Sequence, residues 1–191
     1  DAKELLVMKA YALIGIVASN FATLEFRLQF LLGVLVSGQV ISPEATILVG
    51  NKSFSEKIRV LNEMAILRII KGSPLRSRTA ILVRQLENLR NTRNMFIHGY
   101  WLVNYPLLLT TGGVSCANPK WQFNAKTEEW NSMASKEISL EELEDISQSI
   151  VHAIDEISSI SQTLESEHRQ KNKAEQGGAG YPPQGVGSPD P

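Results

Sequence analysis

The chain has 191 residues, enough for one domain with a hydrophobic core and short of two domains of typical size. Hydrophobic residues make up 43% of it and charged residues 20%, which is the balance of a soluble globular protein. The single cysteine, Cys116, excludes an internal disulfide framework and a CxxC centre. Three histidines are too few and too scattered to predict a zinc site, so we expect no metal and no cofactor.

The net charge of −1 hides a strong separation of charge along the chain. Residues 52–98 contain ten Lys or Arg and three acids, a local net charge of +7. Residues 137–167 contain nine acids and no Lys or Arg, a local net charge of −9. Two interpretations follow: the two segments attract each other as neighbouring or solvated helix faces, or the basic segment meets a polyanion.

The sequence predicts no membrane segment. Uncharged stretches at residues 10–24 and 28–43 fall short of the roughly 18–20 apolar residues that a membrane span needs. The first residues, Asp-Ala-Lys-Glu, lack the basic start of a signal peptide. We therefore expect a cytoplasmic protein.

The first half of the chain predicts three helices. Residues 3–37 form one long helix that is apolar on more than one side, so it is buried or shared with a partner. Ser42, Pro43 and Glu44 start a short helix, with Ser42 as the cap and Pro43 in the first turn. Ser53 and Glu56 form a capping box that opens a third helix, which continues to about residue 71.

The second half predicts two more helices around an insert. A fourth helix runs over residues 74–98, and Gly99 ends it. Aromatic and β-branched runs with turn signals at residues 100–136 predict a small β-hairpin or an irregular insert. Ser139 and Glu142 form a second capping box, which starts a last helix through about residue 167.

These elements predict an all-α fold, an antiparallel bundle of about four to five helices with a small β-hairpin insert after the fourth helix. Residues 1–170 form one helical domain that includes the insert. The Gly- and Pro-rich tail, residues 171–191, is expected to be disordered.

The fourth helix carries a charged residue on its apolar side. At about 100° per residue, a core stripe forms on one side, and Arg93 falls in the middle of it. That stripe contains Leu82, Leu86, Leu89, Phe96 and Ile97. A polar strip runs beside it: Glu87, Arg90, Asn91, Asn94 and His98. An arginine among leucines is costly unless it is paired or open to water, so it predicts a structural ion pair or the floor of a polar cleft.

Glu25 is the expected partner of Arg93. In the first helix it shares a face with Phe21, Leu28 and Leu32, so it interrupts an apolar stripe as Arg93 does. A buried pair would fix the register of two helices. The same contact would also position the arginine beside a reacting phosphate, and the two roles are compatible.

The segment at residues 89–101, Leu-Arg-Asn-Thr-Arg-Asn-Met-Phe-Ile-His-Gly-Tyr-Trp, resembles the signature of the HEPN superfamily (higher eukaryotes and prokaryotes nucleotide-binding domain). In that signature an arginine and a polar residue precede a histidine near a helix end. Arg93, Asn94 and His98 fill those places, with four residues between Arg93 and His98. Residues 21–26 and 53–58 also resemble segments of bacterial HEPN-like proteins. The resemblance covers about residues 3–101 and the last helix, and it leaves out the insert and the tail.

The resemblance implies a homodimeric, metal-independent endoribonuclease whose two motifs line one cleft, in a toxin–antitoxin or phage-defence setting. The nucleophile would be the 2′-hydroxyl of the RNA itself. An ordinary imidazole has a pKa of about 6.5, which suits His98 to general acid–base catalysis. Arg93 would stabilise the phosphorane, and Asn94 would orient the imidazole or bind a phosphate oxygen. Glu25 and Arg90 would support these groups.

Three arginines near the start of the fourth helix are expected either to contact the RNA backbone or to lie on the solvated surface: Arg76, Arg78 and Arg84. The alternative function is a catalytically inactive HEPN-like dimerisation or binding module for a protein or nucleotide. A cognate antitoxin or regulatory protein is a further expected partner. In either case His98 has a second possible role, which is to cap the end of the helix beside Gly99.

Two weaker patterns stay open to interpretation. His152, Asp155 and Glu156 have a spacing that could hold a metal, although a solvated acidic face explains them better. The aromatic residues of the insert form either a stacking platform for bases or the core of a hairpin packed on helices. These aromatics are Trp101, Tyr105, Trp121, Phe123 and Trp130.

Overall fold

The protein is described by a computed structural model that covers residues 2–39, 43–117, 122–124, 129–131 and 135–177. The helices are α1 (Ala2–Ser37), α2 (Pro43–Val49), α3 (Phe54–Arg68), α4 (Pro74–His98), α5 (Tyr105–Thr111) and α6 (Leu140–Gly177). The strands are β1 (Tyr100–Leu102), β2 (Gly113–Ala117), β3 (Gln122–Asn124), β4 (Glu129–Asn131) and β5 (Ser135–Ser139). The predicted mainly-α fold with a small β insert is confirmed.

The predicted capping box of Ser53 and Glu56 is present and Ser139 caps α6, whereas the predicted cap Ser42 lies outside the described residues. The Ser53 hydroxyl accepts a hydrogen bond from the Glu56 amide, and the Glu56 carboxylate accepts one from the Ser53 amide at 2.9 Å. Ser73 caps α4 with Pro74 in its first turn. Ser139 accepts from the amide of Glu142 at 2.9 Å. These bonds satisfy amides that the first turn of a helix leaves without partners.

Two helix ends differ from the prediction. α3 ends at Arg68 rather than near residue 71, because Ile69 adopts an extended backbone and its side chain enters the core. α6 continues ten residues beyond residue 167, to Gly177. Its extra turns are rich in Arg, Lys, Gln and Glu, which favour helix, and Glu165 pairs with Arg169 at 3.5 Å. The tail beyond Gly177 lies outside the described residues.

The insert is more elaborate than a hairpin. β1, β2 and β5 form an antiparallel sheet in the order β1-β2-β5, and β3 pairs separately with β4. Between β1 and β2 lies α5, a helix that the sequence analysis missed. Asn104 caps it by accepting from the amide of Leu107, and Pro106 occupies its first turn. Asn followed by Pro at that spacing is a helix-start signal inside a stretch that otherwise favours strands.

α1 is the central element and packs on all five other helices. Its contacts with α6 follow one another in the same chain direction, from Lys9 beside Glu144 to Gly38 beside His168, so these two helices run parallel. α4 runs antiparallel to α1, with Phe21 against Phe96 and Glu25 against Arg93. The core follows the buried side of α1, which carries Val17, Phe21, Leu24, Leu28, Leu31 and Leu32.

α1 also meets the length and composition of a membrane span. It contains an 18-residue window of mean hydropathy 1.7. The sequence analysis counted only uncharged stretches and so missed this window. Only 17% of that window is buried, whereas core helices of soluble proteins that pass the same test are mostly buried, and a signal sequence near an N-terminus passes it too. In this fold one side of α1 forms the core.

Candidate functional site

The predicted contact between Arg93 and Glu25 is present. Nε of Arg93 donates a hydrogen bond to Oε1 of Glu25 at 2.7 Å, and Nη2 lies 2.6 Å from the same oxygen as an ion pair. The side chains are 19% and 23% exposed, which makes the pair largely buried between α1 and α4. Nη1 of Arg93 points to Oδ1 of Asn94 at 3.4 Å, a long and weak contact. The carboxylate thus fixes the guanidinium and leaves Nη1 directed toward the polar strip of α4.

Asn94 and His98 lie on the exposed side of the last turn of α4. They are four residues apart, so their side chains are neighbours on the helix surface. Within the described residues, the His98 imidazole has no hydrogen-bond or ion-pair partner. The structure therefore joins Glu25, Arg93 and Asn94 through successive contacts of Arg93, and places the exposed His98 one turn beyond Asn94.

Aromatic packing on its buried side holds the end of α4 in place. Phe96 is buried between Phe21, with ring centroids 5.9 Å apart, and Trp101, at 4.5 Å. Trp101 thus packs on the helices, as the hairpin-core interpretation requires. The expectation that Ile97 lies in the core stripe is wrong: it is 45% exposed, because the stripe turns away from α1 where α4 ends.

Gly99 makes the turn from α4 into β1 possible. Its backbone is extended, with φ −79° and ψ 150°, so this glycine is not needed for a left-handed cap. A Cβ at this position would collide with the carbonyl oxygen of Met95 and with Sγ of Cys116 on β2. The absence of a side chain allows the sheet to lie directly against the helix end and fixes the position of His98.

Arg90, expected to support the motif, pairs with Glu87 at 3.3 Å. Both side chains are about two-fifths exposed, so this is a surface contact within α4. No hydrogen bond or ion pair connects Arg90 to Arg93 or His98 within the described part of the chain. Arg90 therefore lies beside the motif and does not hold it.

The three arginines expected to contact RNA have different surroundings. Arg78 binds Glu156 on α6 through two hydrogen bonds, of 2.9 and 3.0 Å, and also donates to Ser159. This pairing raises the pKa of Arg78 further. Arg76 donates to the carbonyl oxygens of Ala65 and Ile69 at the end of α3. Arg84 is exposed, with only a long contact to a carbonyl on its own helix.

The basic segment is thus partly neutralised within the fold. Arg59, Arg78, Arg90 and Arg93 each pair with an acid. Among the described residues, only the pair of Arg78 with Glu156 joins the basic segment to the acidic segment, as the intramolecular interpretation of the charge separation expects. Lys57 is buried. Six basic residues have no ion-pair partner among the described residues of this segment: Lys52, Lys57, Arg68, Lys71, Arg76 and Arg84.

The weaker patterns give no second site. Glu156 is bound to Arg78, and His152 and Asp155 are not brought together with a further ligand. Among the described residues, no three His, Cys, Asp or Glu side chains gather as metal ligands would. The Tyr105 ring lies under Nζ of Lys3, 5.0 Å from its centroid. The side chains of Trp121, Phe123 and Trp130 lie outside the described residues.

Comparison with known proteins adds no relative: no family model matches the chain, and neither a curated protein nor a solved structure resembles it. The HEPN resemblance therefore depends on the residues quoted for it.

Proposed function

We propose that the protein is an HEPN-like endoribonuclease that cleaves RNA without a metal, through attack of the substrate's 2′-hydroxyl. The observation that carries the proposal is the arrangement at the end of α4. Glu25 holds Arg93 at 2.6 Å, Nη1 of Arg93 is directed toward Asn94, and His98, which has no partner among the described residues, is exposed on the same side of α4 as Asn94. A fixed guanidinium and an exposed imidazole within the last two turns of one helix suit phosphoryl transfer, in which little is required beyond positioning, charge stabilisation and proton transfer.

In this reaction the His98 imidazole takes the proton of the 2′-hydroxyl, and the 2′-oxygen attacks the adjacent phosphorus. The bond from phosphorus to the 5′-oxygen breaks, and that oxygen receives a proton from a second acid. The products are a 2′,3′-cyclic phosphate and a 5′-hydroxyl. Nη1 of Arg93 would donate to a phosphoryl oxygen as charge builds up, while Glu25 prevents the guanidinium from turning away.

One chain supplies one histidine at the motif, His98, whereas the reaction needs both a general base and a general acid. A homodimer in which two α4 ends border one cleft would supply both. We place this dimer in the cytoplasm, in a toxin–antitoxin or phage-defence role, with a cognate antitoxin or regulatory protein as a further partner.

A second candidate function is a catalytically inactive HEPN-like module that binds a protein or nucleotide. The intramolecular pairing of the basic residues favours it. Arg78 and Arg93 each face a carboxylate from outside the basic segment, which lowers the +7 charge counted in the sequence to +5 for a polyanion.

The two candidates are distinguished by incubating purified protein with a mixed-sequence RNA in excess EDTA and resolving the products on a denaturing gel. We expect the wild type to cleave and the His98→Ala variant to lose cleavage by at least about a hundredfold, the usual weight of a general acid–base group. The matched control is His152→Ala, which removes another exposed histidine and is expected to cleave as the wild type does. Absence of cleavage by the folded wild type, or equal cleavage by His98→Ala, would contradict the nuclease proposal.

A further inference from the structure

A cavity of about 340 Å³ lies where α1 ends and α4 begins. Its lining comes from the last turn of α1, the segment that follows α3, the first turn of α4 and the later part of α6. Pockets that bind small molecules have volumes of roughly 300–1,000 Å³, so this cavity is large enough for a ligand. Leu75 in its lining and His98 stand at opposite ends of α4, roughly 35 Å apart along the helix.

The floor of the cavity is aliphatic. Five side chains from four segments form it, and each of them is at most 7% exposed: Val34, Leu35, Ile69, Leu75 and Leu164. Among the described residues, no aromatic ring and no side-chain amide lines the cavity. Unstacked nucleobases are usually held by ring stacking and by hydrogen bonds to their edges. This floor therefore suits an aliphatic chain better than a nucleotide.

The rim of the cavity carries charge on three exposed side chains: Arg68, Glu167 and Lys171. Within the described part of the chain, none of the three has a hydrogen-bond or ion-pair partner. Two positive groups and one negative group leave the rim with a net charge of +1. This balance matches a monoanion such as a carboxylate better than a phosphate monoester, which carries nearly two negative charges.

Two further side chains bring hydrogen-bonding groups to the rim. The Ser73 hydroxyl accepts from the amide of Arg76 at 3.2 Å, and its own proton has no acceptor among the described residues. The His168 ring packs on the backbone of Gly38, where a Cβ would lie 3.0 Å from Cε1 and Nδ1 of the imidazole. Because α4 begins at this rim, the dipoles of its first amides also favour a negative charge there.

The wall of the cavity that follows α3 is fixed by the fold. Arg76 donates to the carbonyl oxygens of Ala65 and Ile69, which ties the end of α3 to the start of α4. Ile69 has an extended backbone, and its side chain is buried. The cavity is thus already formed in the protomer, as most small-molecule sites are.

We propose that this cavity binds a medium-chain aliphatic carboxylate, with its chain on the aliphatic floor and its carboxylate at the charged rim. A water molecule takes up about 30 Å³ in the liquid, so the cavity has room for roughly eleven non-hydrogen atoms. A straight-chain acid of about eight to ten carbons has this size. The Arg68 guanidinium can hold a carboxylate by two parallel hydrogen bonds, and Lys171 adds a point charge.

The first test is calorimetric titration of the protein with hexanoate, octanoate, decanoate and dodecanoate, each below its micelle concentration. Burial of one methylene corresponds to about a fourfold gain in affinity, so octanoate is expected to bind roughly fifteenfold more tightly than hexanoate. The cavity is full near decanoate, so dodecanoate is expected to gain no more than about fourfold. A larger gain at that last step, or no saturable binding of decanoate, would overturn the proposal.

The second test removes the charge from the ligand or from the rim. Decan-1-ol has the chain of decanoate and a neutral head, so it is expected to bind at least about tenfold more weakly. Arg68→Gln and Lys171→Gln change exposed side chains, so both variants are expected to fold and to bind decanoate about tenfold more weakly. The matched control is Lys173→Gln, at an exposed position of α6 outside the cavity lining, which is expected to bind as the wild type does. Equal binding by all three variants would overturn the proposal.

The third test locates the ligand by NMR of the methyl groups. Decanoate is expected to shift the signals of Ile69, Leu75 and Leu164 on the floor. Leu143 is buried near the other end of α6, so its signals are expected to stay unchanged. Equal shifts of all four residues would mean that decanoate enters the core in general, which would overturn the proposal.

A membrane presents the same chemistry as a free fatty acid, because its lipids combine aliphatic chains with anionic heads. Flotation of the wild type with phosphatidylserine vesicles, without saturable binding of monomeric decanoate, would overturn the proposal in favour of a membrane surface. The site does not depend on the proposed function. Binding of decanoate by a protein that does not cleave RNA would contradict only the nuclease, and cleavage without decanoate binding would contradict only this site.

Discussion

The contact between Glu25 and Arg93 allows a quantitative test of the arrangement at the end of α4. Replacing Arg93 by alanine leaves a carboxylate that is 23% exposed facing an apolar surrounding without its partner. Breaking a fully buried pair costs about 3–5 kcal/mol, and breaking an exposed pair costs about 0–1 kcal/mol. With about four-fifths of both side chains buried, we expect Arg93→Ala to lower the free energy of unfolding by about 2 kcal/mol.

The assay is urea unfolding followed by circular dichroism for the wild type, Arg93→Ala, Glu25→Gln and the double variant. A loss of about 2 kcal/mol corresponds to a fall of roughly 4–8 °C in Tm for a chain of this length. Because the two side chains contact each other directly, the double variant is expected to lose about 1 kcal/mol less than the two single losses combined.

The matched control is the pair of Arg59 and Glu63, which are 64% and 53% exposed and one turn apart on α3. Its disruption is expected to cost about 0.3–0.5 kcal/mol. If Arg93→Ala costs no more than Arg59→Ala, or if the two substitutions at the α1–α4 contact are additive, the reasoning about this pair is refuted.

Three further predictions concern the surroundings of the site and the helix caps. Gly99→Ala is expected to destabilise the protein by about 1–3 kcal/mol in urea unfolding, because its Cβ would collide with Met95 and Cys116, and a wild-type midpoint would contradict this. Burial raises the pKa of the Cys116 thiol, so its reaction with a thiol reagent at pH 8 is expected to follow the rate of unfolding; rapid labelling of the folded protein would count against that burial. The hydrogen bonds from Ser53 lower the pKa of Glu56 below its ordinary 4.5. The carboxylate therefore stabilises α3 above about pH 4.5 and loses this effect as the pH falls through its lower folded pKa. Ser53→Ala is expected to weaken this dependence in melts at several pH values, and identical pH profiles would disprove it.

The fold was largely predictable because the residues that start its helices act on neighbouring residues in the sequence. Ser53 with Glu56, and Ser73 with Pro74, mark helix starts by side chains within four residues of the amides they bind. α5 escaped notice because its capping residue, Asn104, sits in a run of aromatic and branched residues that favours strands. The early end of α3 depends on the burial of Ile69, which is a tertiary contact.

The candidate site was predictable only where the helical periodicity places a charged residue on an apolar face. Glu25 and Arg93 each interrupt an apolar stripe, and a buried charge needs its opposite, so the contact between them followed from the sequence. The contact of Arg78 with Glu156 spans 78 positions between two helix faces that look solvated in sequence. No neighbouring residue in the sequence distinguishes Arg78 from Arg84, and only the packing of α4 on α6 shows that Arg78 is the one bound to a carboxylate.

The measurement that tests the account most directly is the cleavage of an RNA oligonucleotide in EDTA, with the products' ends identified, beside the same oligonucleotide carrying a 2′-deoxyribose at the mapped cleavage position. We expect the wild type to yield a 2′,3′-cyclic phosphate and a 5′-hydroxyl, and to leave the oligonucleotide uncut at the deoxy position. We expect the His98→Ala variant to leave the whole strand uncut. Cleavage at the deoxy position, or loss of all cleavage in EDTA, would contradict the claim that Arg93 and His98 act on an RNA whose own hydroxyl is the nucleophile.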